Sequence, residues 1–141
     1  MRTAGQEGPG PVTEATNGYL VLVVDDDESV RRVTMRALEA FGFGTLGAKD
    51  GYEAVDVLKG HAKALHCIIV DMSMPGMNGE QTLHALREVE AQVPVLLASG
   101  HSSEEMQDSY GGVGFAGYLQ KPFQLAQLAQ KVEGTIKQHQ G

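Results

Sequence analysis

Strand-like apolar runs in this chain end on residues that can handle charge. Leu20 to Val24 lead into Asp25, Asp26 and Asp27, Ile68 to Val70 into Asp71, Val95 to Ala98 into Ser99, and Tyr118 to Gln120 into Lys121 and Pro122. Adjacent carboxylates repel one another and raise each other's pKa unless a cation neutralises them. Carboxylates, a hydroxyl and an ammonium converging on one place would hold a hard divalent cation and a phosphoryl group, because such ions take oxygen ligands and phosphoryl oxygens are stabilised by fixed cations and donors. That chemistry requires the run ends to meet. Continuous apolar runs suit strands buried on both faces, and in an open parallel sheet the ligand crevice lies beyond the carboxyl ends of the strands.

The elements that must position these residues follow from periodicity. After the first strand, Val30, Val33, Ala37 and Phe41 recur at helical spacing behind an acidic Asp27-Glu28 start, and Gly42 should end that helix. A second strand is expected near Thr45 to Ala48, followed by a helix from about Gly51 to Lys59 that buries Ala54, Val55 and Leu58. The third strand is His66 to Val70, the Pro- and Gly-containing string MSMPGMNG after Asp71 is a loop, and a helix from about Glu80 to Glu90 buries Leu83 and Leu86. Pro94 opens the fourth strand, where a missing donor is tolerable. Ser102 to Tyr110 reads as a short, well-capped helix with a thin apolar face. The last helix, after Pro122, should bury Leu125, Leu128, Ala129, Val132 and Ile136. Strands alternating with helices imply right-handed βαβ units around a parallel sheet.

Length and composition narrow the function. A chain of 141 residues suits one domain with a self-sufficient core, and a formal charge of −7 argues against direct affinity for nucleic acid or an anionic membrane. No apolar stretch approaches a membrane span, and no signal peptide is apparent, so the expectation is a cytoplasmic domain without membrane insertion. Cys67, the single cysteine, lies in an apolar run and reads as a small buried hydrophobe. Residues 1–18, rich in Gly, Pro, Thr and Glu, read as a flexible tail or linker. The histidines show no metal-ligand spacing, and the Gly111-Gly112-Val113-Gly114 stretch lacks the Lys-Ser/Thr of a phosphate-binding loop.

VLVVDDDESVRR, IIVDMSMPGMNG, PVLLASG and GYLQKPF, in that order, give the chain its resemblance to a response-regulator receiver domain, the phosphoacceptor module of two-component signalling. It covers roughly residues 19 to 137, and the domain is set at 19–138. The resemblance implies a flavodoxin-like, doubly wound, five-stranded parallel sheet of order 2-1-3-4-5 with helices on both faces. It implies that Asp71 takes a phosphoryl group from a histidine kinase or a histidine phosphotransfer domain, and that Asp25, Asp26, Asp71 and the backbone carbonyl of Ser73 hold Mg²⁺ or Mn²⁺. Asp27 lies outside the match. Ser99 corresponds to the hydroxyl that bonds the phosphoryl group, Lys121 to an ammonium aimed into the site by a cis Lys–Pro bond, and Tyr118 to the aromatic that moves with Ser99 as a switch. Slow Mg²⁺-dependent self-dephosphorylation and a monomer or weak dimer go with this.

PVLLASGH and GFAGYLQKPFQLAQLAQKV further resemble receivers at the C-terminus of hybrid sensor histidine kinases, a stand-alone regulator being the other reading. Nothing follows the last helix in these residues, so no output domain is expected. A haloacid-dehalogenase-like phosphatase is an alternative, since Asp25-x-Asp27-x-Ser29 imitates its nucleophile motif, but the acidic pair that family needs after the Lys is missing, only Glu133 following. An unphosphorylated pseudo-receiver acting as a docking module is a further alternative, disfavoured by the complete Asp25, Asp26, Asp71, Ser99 and Lys121 set.

Overall fold

A computed structural model describes residues 15–140. Strands and helices alternate as β1 (Leu20–Val24), α1 (Glu28–Ala40), β2 (Gly44–Ala48), α2 (Gly51–His61), β3 (Cys67–Asp71), α3 (Gly79–Val89), β4 (Val95–Ser99), α4 (Ser103–Tyr110), β5 (Gly117–Gln120) and α5 (Leu125–Gln140). All neighbouring strands are parallel and the order is β2-β1-β3-β4-β5, the flavodoxin-like arrangement. Val24 pairs with Val70, so the residues that follow them, Asp25 and Asp71, end adjacent strands at one level. Side chains alternate across the sheet. Val21, Val23 and Ile69 pack on one face with Leu38 of α1 and Val132 of α5, whereas Leu22, Ile68 and Val70 pack on the other with Leu58 of α2 and Leu86 of α3.

Local sequence fixes the helix starts. Asp27, Asp50, Asn78 and Ser102 accept from backbone N–H groups in the first turns of α1, α2, α3 and α4, and the last two form reciprocal capping boxes with Gln81 and Glu105. Such caps satisfy amides that have no partner inside the helix. At the far end of α1, Gly42 turns the chain with φ +95°, a conformation that disfavours any side chain, and an added Cβ would lie 2.7 Å from Thr16 Oγ1. The N–H groups of Thr16 and Asn17 donate to the Gly42 carbonyl at 2.8 and 3.0 Å. These residues belong to the segment expected as a tail, whose residues 1–14 lie outside the described ones.

The apolar face of α1 differs from the expectation. Thr34, Ala37 and Leu38 are buried, whereas Val33 is 65% exposed and Phe41 47% exposed. The Thr34 hydroxyl donates to the Val30 carbonyl at 2.9 Å, so a polar residue is buried with its hydroxyl satisfied inside its own helix. Reading by residue type alone placed the stripe one step away. Leu125 is likewise 53% exposed instead of buried, because it opens α5 beside Pro122 and Phe123. Val30, Val33, Leu125 and Lys121 are among the residues that line one groove of about 510 Å³ between α1 and α5. Val55 is half-buried.

Cys67 is buried, and burial pushes its thiol up to about 12, so it stays a neutral hydrophobe at physiological pH. His66 has a structural part that spacing did not reveal. Its Nδ1 accepts from the Leu20 N–H at 3.1 Å, tying the starts of β3 and β1 together.

Truncating Leu38, fully buried, to Ala is expected to lower the unfolding free energy by about 2–5 kcal/mol, whereas Val33→Ser should stay within about 0.5 kcal/mol, as read by urea denaturation. His66 gives a pH dependence. Burial lowers its pKa from the ordinary 6.5, so on acidification the unfolded chain binds the proton first; stability is complete above that value and is lost as pH falls through the folded pKa. His66→Gln keeps an acceptor for Leu20 without titrating. The stability difference between wild type and this variant should therefore shift in the variant's favour below about pH 6.5, and a pH-independent difference would refute the assignment.

Candidate functional site

The site is built on the carboxyl ends of β1, β3, β4 and β5. Asp25 follows β1 directly and is buried, with its N–H donating to the Ala48 carbonyl of β2 at 3.1 Å. Its Oδ1 accepts from the Asp27 N–H at 3.0 Å. Asp71 closes β3 opposite Ala98 of β4. Lys121 follows β5, where its N–H donates to the Ser99 carbonyl at 2.7 Å, and its bond to Pro122 is cis. From there its Nζ donates to Asp25 Oδ2 and Asp71 Oδ1, both at 2.7 Å.

One carboxylate oxygen each of Asp25, Asp26 and Asp71 lies within 4.8 Å of the others, an arrangement able to hold a metal ion. Asp26 is exposed and makes no hydrogen bond or ion pair among the described residues. Asp27 is not part of this cluster, and its Oδ1 accepts from the Val30 N–H at 3.1 Å to cap α1. The structure therefore brings Asp25, Asp26, Asp71 and Lys121 together. Ser99 is buried beside them, its Oγ accepting from the His101 N–H at 3.2 Å, which leaves its own proton free to donate. Ser73 stands in the exposed loop after β3, lining a shallow cleft with Met72, Asn78 and Tyr110. Tyr118 lies on β5 next to Leu97, not against Ser99, and its half-exposed ring packs on Phe115 at 6.4 Å.

The electrostatics all run in one direction. Burial pushes the Asp71 carboxyl up, the neighbouring Asp25 and Asp26 push it further, and Lys121 recovers only part of the shift. Burial alone would lower the Lys121 ammonium, but its hydrogen bonds to Asp25 and Asp71 outweigh that and raise it. Both groups are shifted towards holding protons, which is how a crevice short of positive charge behaves. Three carboxylates against one ammonium leave two negative charges uncompensated, matching the charge of a divalent cation.

Arg31 was not among the residues singled out from the sequence. Its Nη1 donates to the Asp25 carbonyl at 2.7 Å. Its place in the first turns of the helix that follows the acidic run was the available signal.

Two unit charges 4 Å apart repel by about 1 kcal/mol even in bulk water. Asp26→Asn removes one such charge and breaks no hydrogen bond among the described residues. It is expected to raise the thermal midpoint of the protein in a chelator. A lowered midpoint would mean that Asp26 supports the fold through a contact other than charge.

The profile described as response regulator receiver domain matches residues 21–133. Sensor kinase CckA of Brucella abortus is 28% identical over 89% of this chain and 13% of its own length. Transcriptional regulatory protein FixJ of Bradyrhizobium diazoefficiens is 28% identical over 87% of this chain and 58% of its own length. The chain thus spans less than two thirds of these curated relatives. Among solved structures, the CheX-CheY-BeF3-Mg²⁺ complex from Borrelia burgdorferi matches with a TM-score of 0.75 and 26% identity, over 82% of this chain and 87% of that one. Receiver domains bind Mg²⁺ at an acidic pocket, and the Asp25, Asp26 and Asp71 cluster could hold such an ion. No helix among the described residues is long and apolar enough to cross a membrane. With its motifs in order, its strands in the flavodoxin-like sequence and most of its length matched, the chain belongs to the response regulator receiver domain family.

Proposed function

We propose that Asp71 accepts a phosphoryl group from the phosphohistidine of a histidine kinase or histidine phosphotransfer domain, with Mg²⁺ or Mn²⁺ held by Asp25, Asp26, Asp71 and the Ser73 carbonyl. The observation that carries this reading is the forked bond from Lys121 to Asp25 and Asp71 beside an unpaired Asp26. In the transfer, the P–N bond to the donor imidazole breaks and an O–P bond to Asp71 forms. Oδ1 of Asp71 is engaged by Lys121, so Oδ2 is the attacking atom. The ammonium then has a phosphoryl oxygen within reach, and the free Ser99 hydroxyl proton can bond another. When bound, the metal supplies the positive charge that lets an anionic donor approach three carboxylates. Water later cleaves the acyl phosphate slowly, which makes the domain a switch more than an enzyme, working in the cytoplasm as a monomer or weak dimer.

The donor's helical surface docks in the apolar groove of Val30, Val33 and Leu125. The lining of that groove includes Lys121, the ammonium that bonds Asp71, so a partner seated there would lie beside the site. Output runs through Ser99 and Tyr118. Drawing the Ser99 hydroxyl to a phosphoryl oxygen shifts the loop after β4, which now takes its geometry from the His101 bond, and gives the Tyr118 ring room to move inward.

A small-molecule phosphodonor with Mg²⁺ should add one phosphoryl group, seen as one mass increment on the intact chain, and both chelation and Asp71→Asn should abolish it. Persistent labelling of Asp71→Asn would sink the reading. Val33→Asp should label normally from the small donor yet lose most transfer from a phosphohistidine protein. Ser99→Ala should still accept phosphate but lose most of the response. Backbone NMR shifts from Gly100 to Tyr118, with and without a stable phosphoryl mimic, would report this; equal shifts in wild type and variant would exclude the hydroxyl as the link.

A further inference from the structure

Besides Lys121, a second cation reaches the acidic end of β1. Arg31 bonds the Asp25 carbonyl, and among the described residues no carboxylate lies within ion-pair distance of its guanidinium. Its stem crosses β2 over a glycine. A Cβ built on Gly47 would stand 3.0 Å from Met35 Sδ, 3.3 Å from Arg31 Cδ and 3.5 Å from its Nε, so the stem lies close against the bare β2 backbone on its way to Asp25.

The consequence falls on the Asp25–Asp26 peptide. Asp25 is held at its N–H by Ala48 and at its carbonyl by Arg31, while its carboxylate is fixed by Asp27 and Lys121. Asp26 has no such partners, so the backbone alone places its carboxylate. A hydrogen bond from a charged donor is roughly twice as strong as a neutral one. An arginine paired with the carboxylates themselves would compete with an incoming ion; bonded to the carbonyl, it leaves them free. We propose that Arg31 is a positioning residue for the cation site, locking the Asp25–Asp26 peptide so that both carboxylates face the ion. This rests on the reading that the cluster holds Mg²⁺.

The test is Mg²⁺ titration of the full, unphosphorylated chain by calorimetry, with thermal unfolding in a chelator run in parallel. Arg31→Met keeps the stem over Gly47 and removes the donor. It is expected to bind Mg²⁺ roughly tenfold to a hundredfold more weakly, the range for losing a group that orients a metal ligand. Labelling from a small phosphodonor should need correspondingly more Mg²⁺ yet reach the same maximal rate, and Arg31→Lys should recover part of the affinity. If Arg31→Met unfolds more easily but binds Mg²⁺ as tightly as wild type, Arg31 merely packs α1 on β2 and the inference is overturned. Should Arg31→Met fail to fold, Arg31→Gln decides, because it keeps a polar side chain on α1 and removes the charged donor to the Asp25 carbonyl; weaker Mg²⁺ binding is expected and binding as tight as wild type overturns the inference. A wild-type chain that takes up no Mg²⁺ would overturn the metal reading and this inference with it.

Discussion

Three carboxylates share one ammonium at the carboxyl edge of the sheet, and the rest of the architecture is arranged around that imbalance. Asp25, Asp26 and Asp71 would separate if their backbones allowed it. The backbones do not allow it, because β1 and β3 are central strands hydrogen-bonded on both sides, by β2 and β4 as well as by each other. Ladder bonds and two packed faces hold in place charges that repel. Lys121 comes from β5, two strands from β3, and its main chain is tied to Ser99 of β4, so the ammonium reaches across β4 to the acidic pair. The sheet order is thus an electrostatic arrangement as well as a topological one.

That imbalance explains why the neighbouring surfaces look unfinished. A protein selected only for stability would pair Asp26 and bury Val33 and Leu125. Here Asp26 is exposed without a hydrogen-bond or ion-pair partner among the described residues, and an apolar groove whose lining includes Lys121 stands open. A cation and a second protein are the two kinds of partner that would complete them. Fold stability is instead drawn from the two clusters above and below the sheet, neither of which includes Asp26, Val33 or Leu125.

Much of this was legible in the sequence, for identifiable reasons. The strands were legible because fully buried parallel strands are unbroken apolar runs, and the meeting of Asp25, Asp26, Asp71 and Lys121 at one edge of the sheet was legible because they stand at or just past the ends of such runs. The α1 face misread because its sheet-facing row includes Thr34, whose polarity is cancelled by a bond inside the helix that no residue-type pattern encodes. Leu125 misread because helical spacing says which residues share a face, not whether anything covers the first turn. Arg31 and His66 were missed for another reason. Both act through backbone atoms distant from any capping pattern, the Asp25 carbonyl and the Leu20 amide, so their residue types alone do not reveal the bond.

The last asymmetry lies between α4 and its fellow helices. Met106 is the one fully buried side chain of α4 and belongs to neither core cluster, whereas α3 buries Thr82, Leu83 and Leu86 and α5 buries five side chains including Val132 and Ile136. With so little apolar area holding it, α4 is anchored by Met106, by its contacts with β5 and by the Tyr110 ring set perpendicular to Phe115, while its capping box holds only its own first turn. Phe115 in turn carries the Tyr118 ring. The helix nearest the proposed switch is therefore the one whose displacement would uncover least core. A hydrogen bond gained at Ser99 is worth only about 1 kcal/mol, or up to about 3 kcal/mol with a charged partner. An energy of that size could not move α3 or α5, but it is comparable to what a single buried methionine contributes, at about 1.5–3 kcal/mol. The weak packing of α4 is thus what would make one hydroxyl a sufficient trigger.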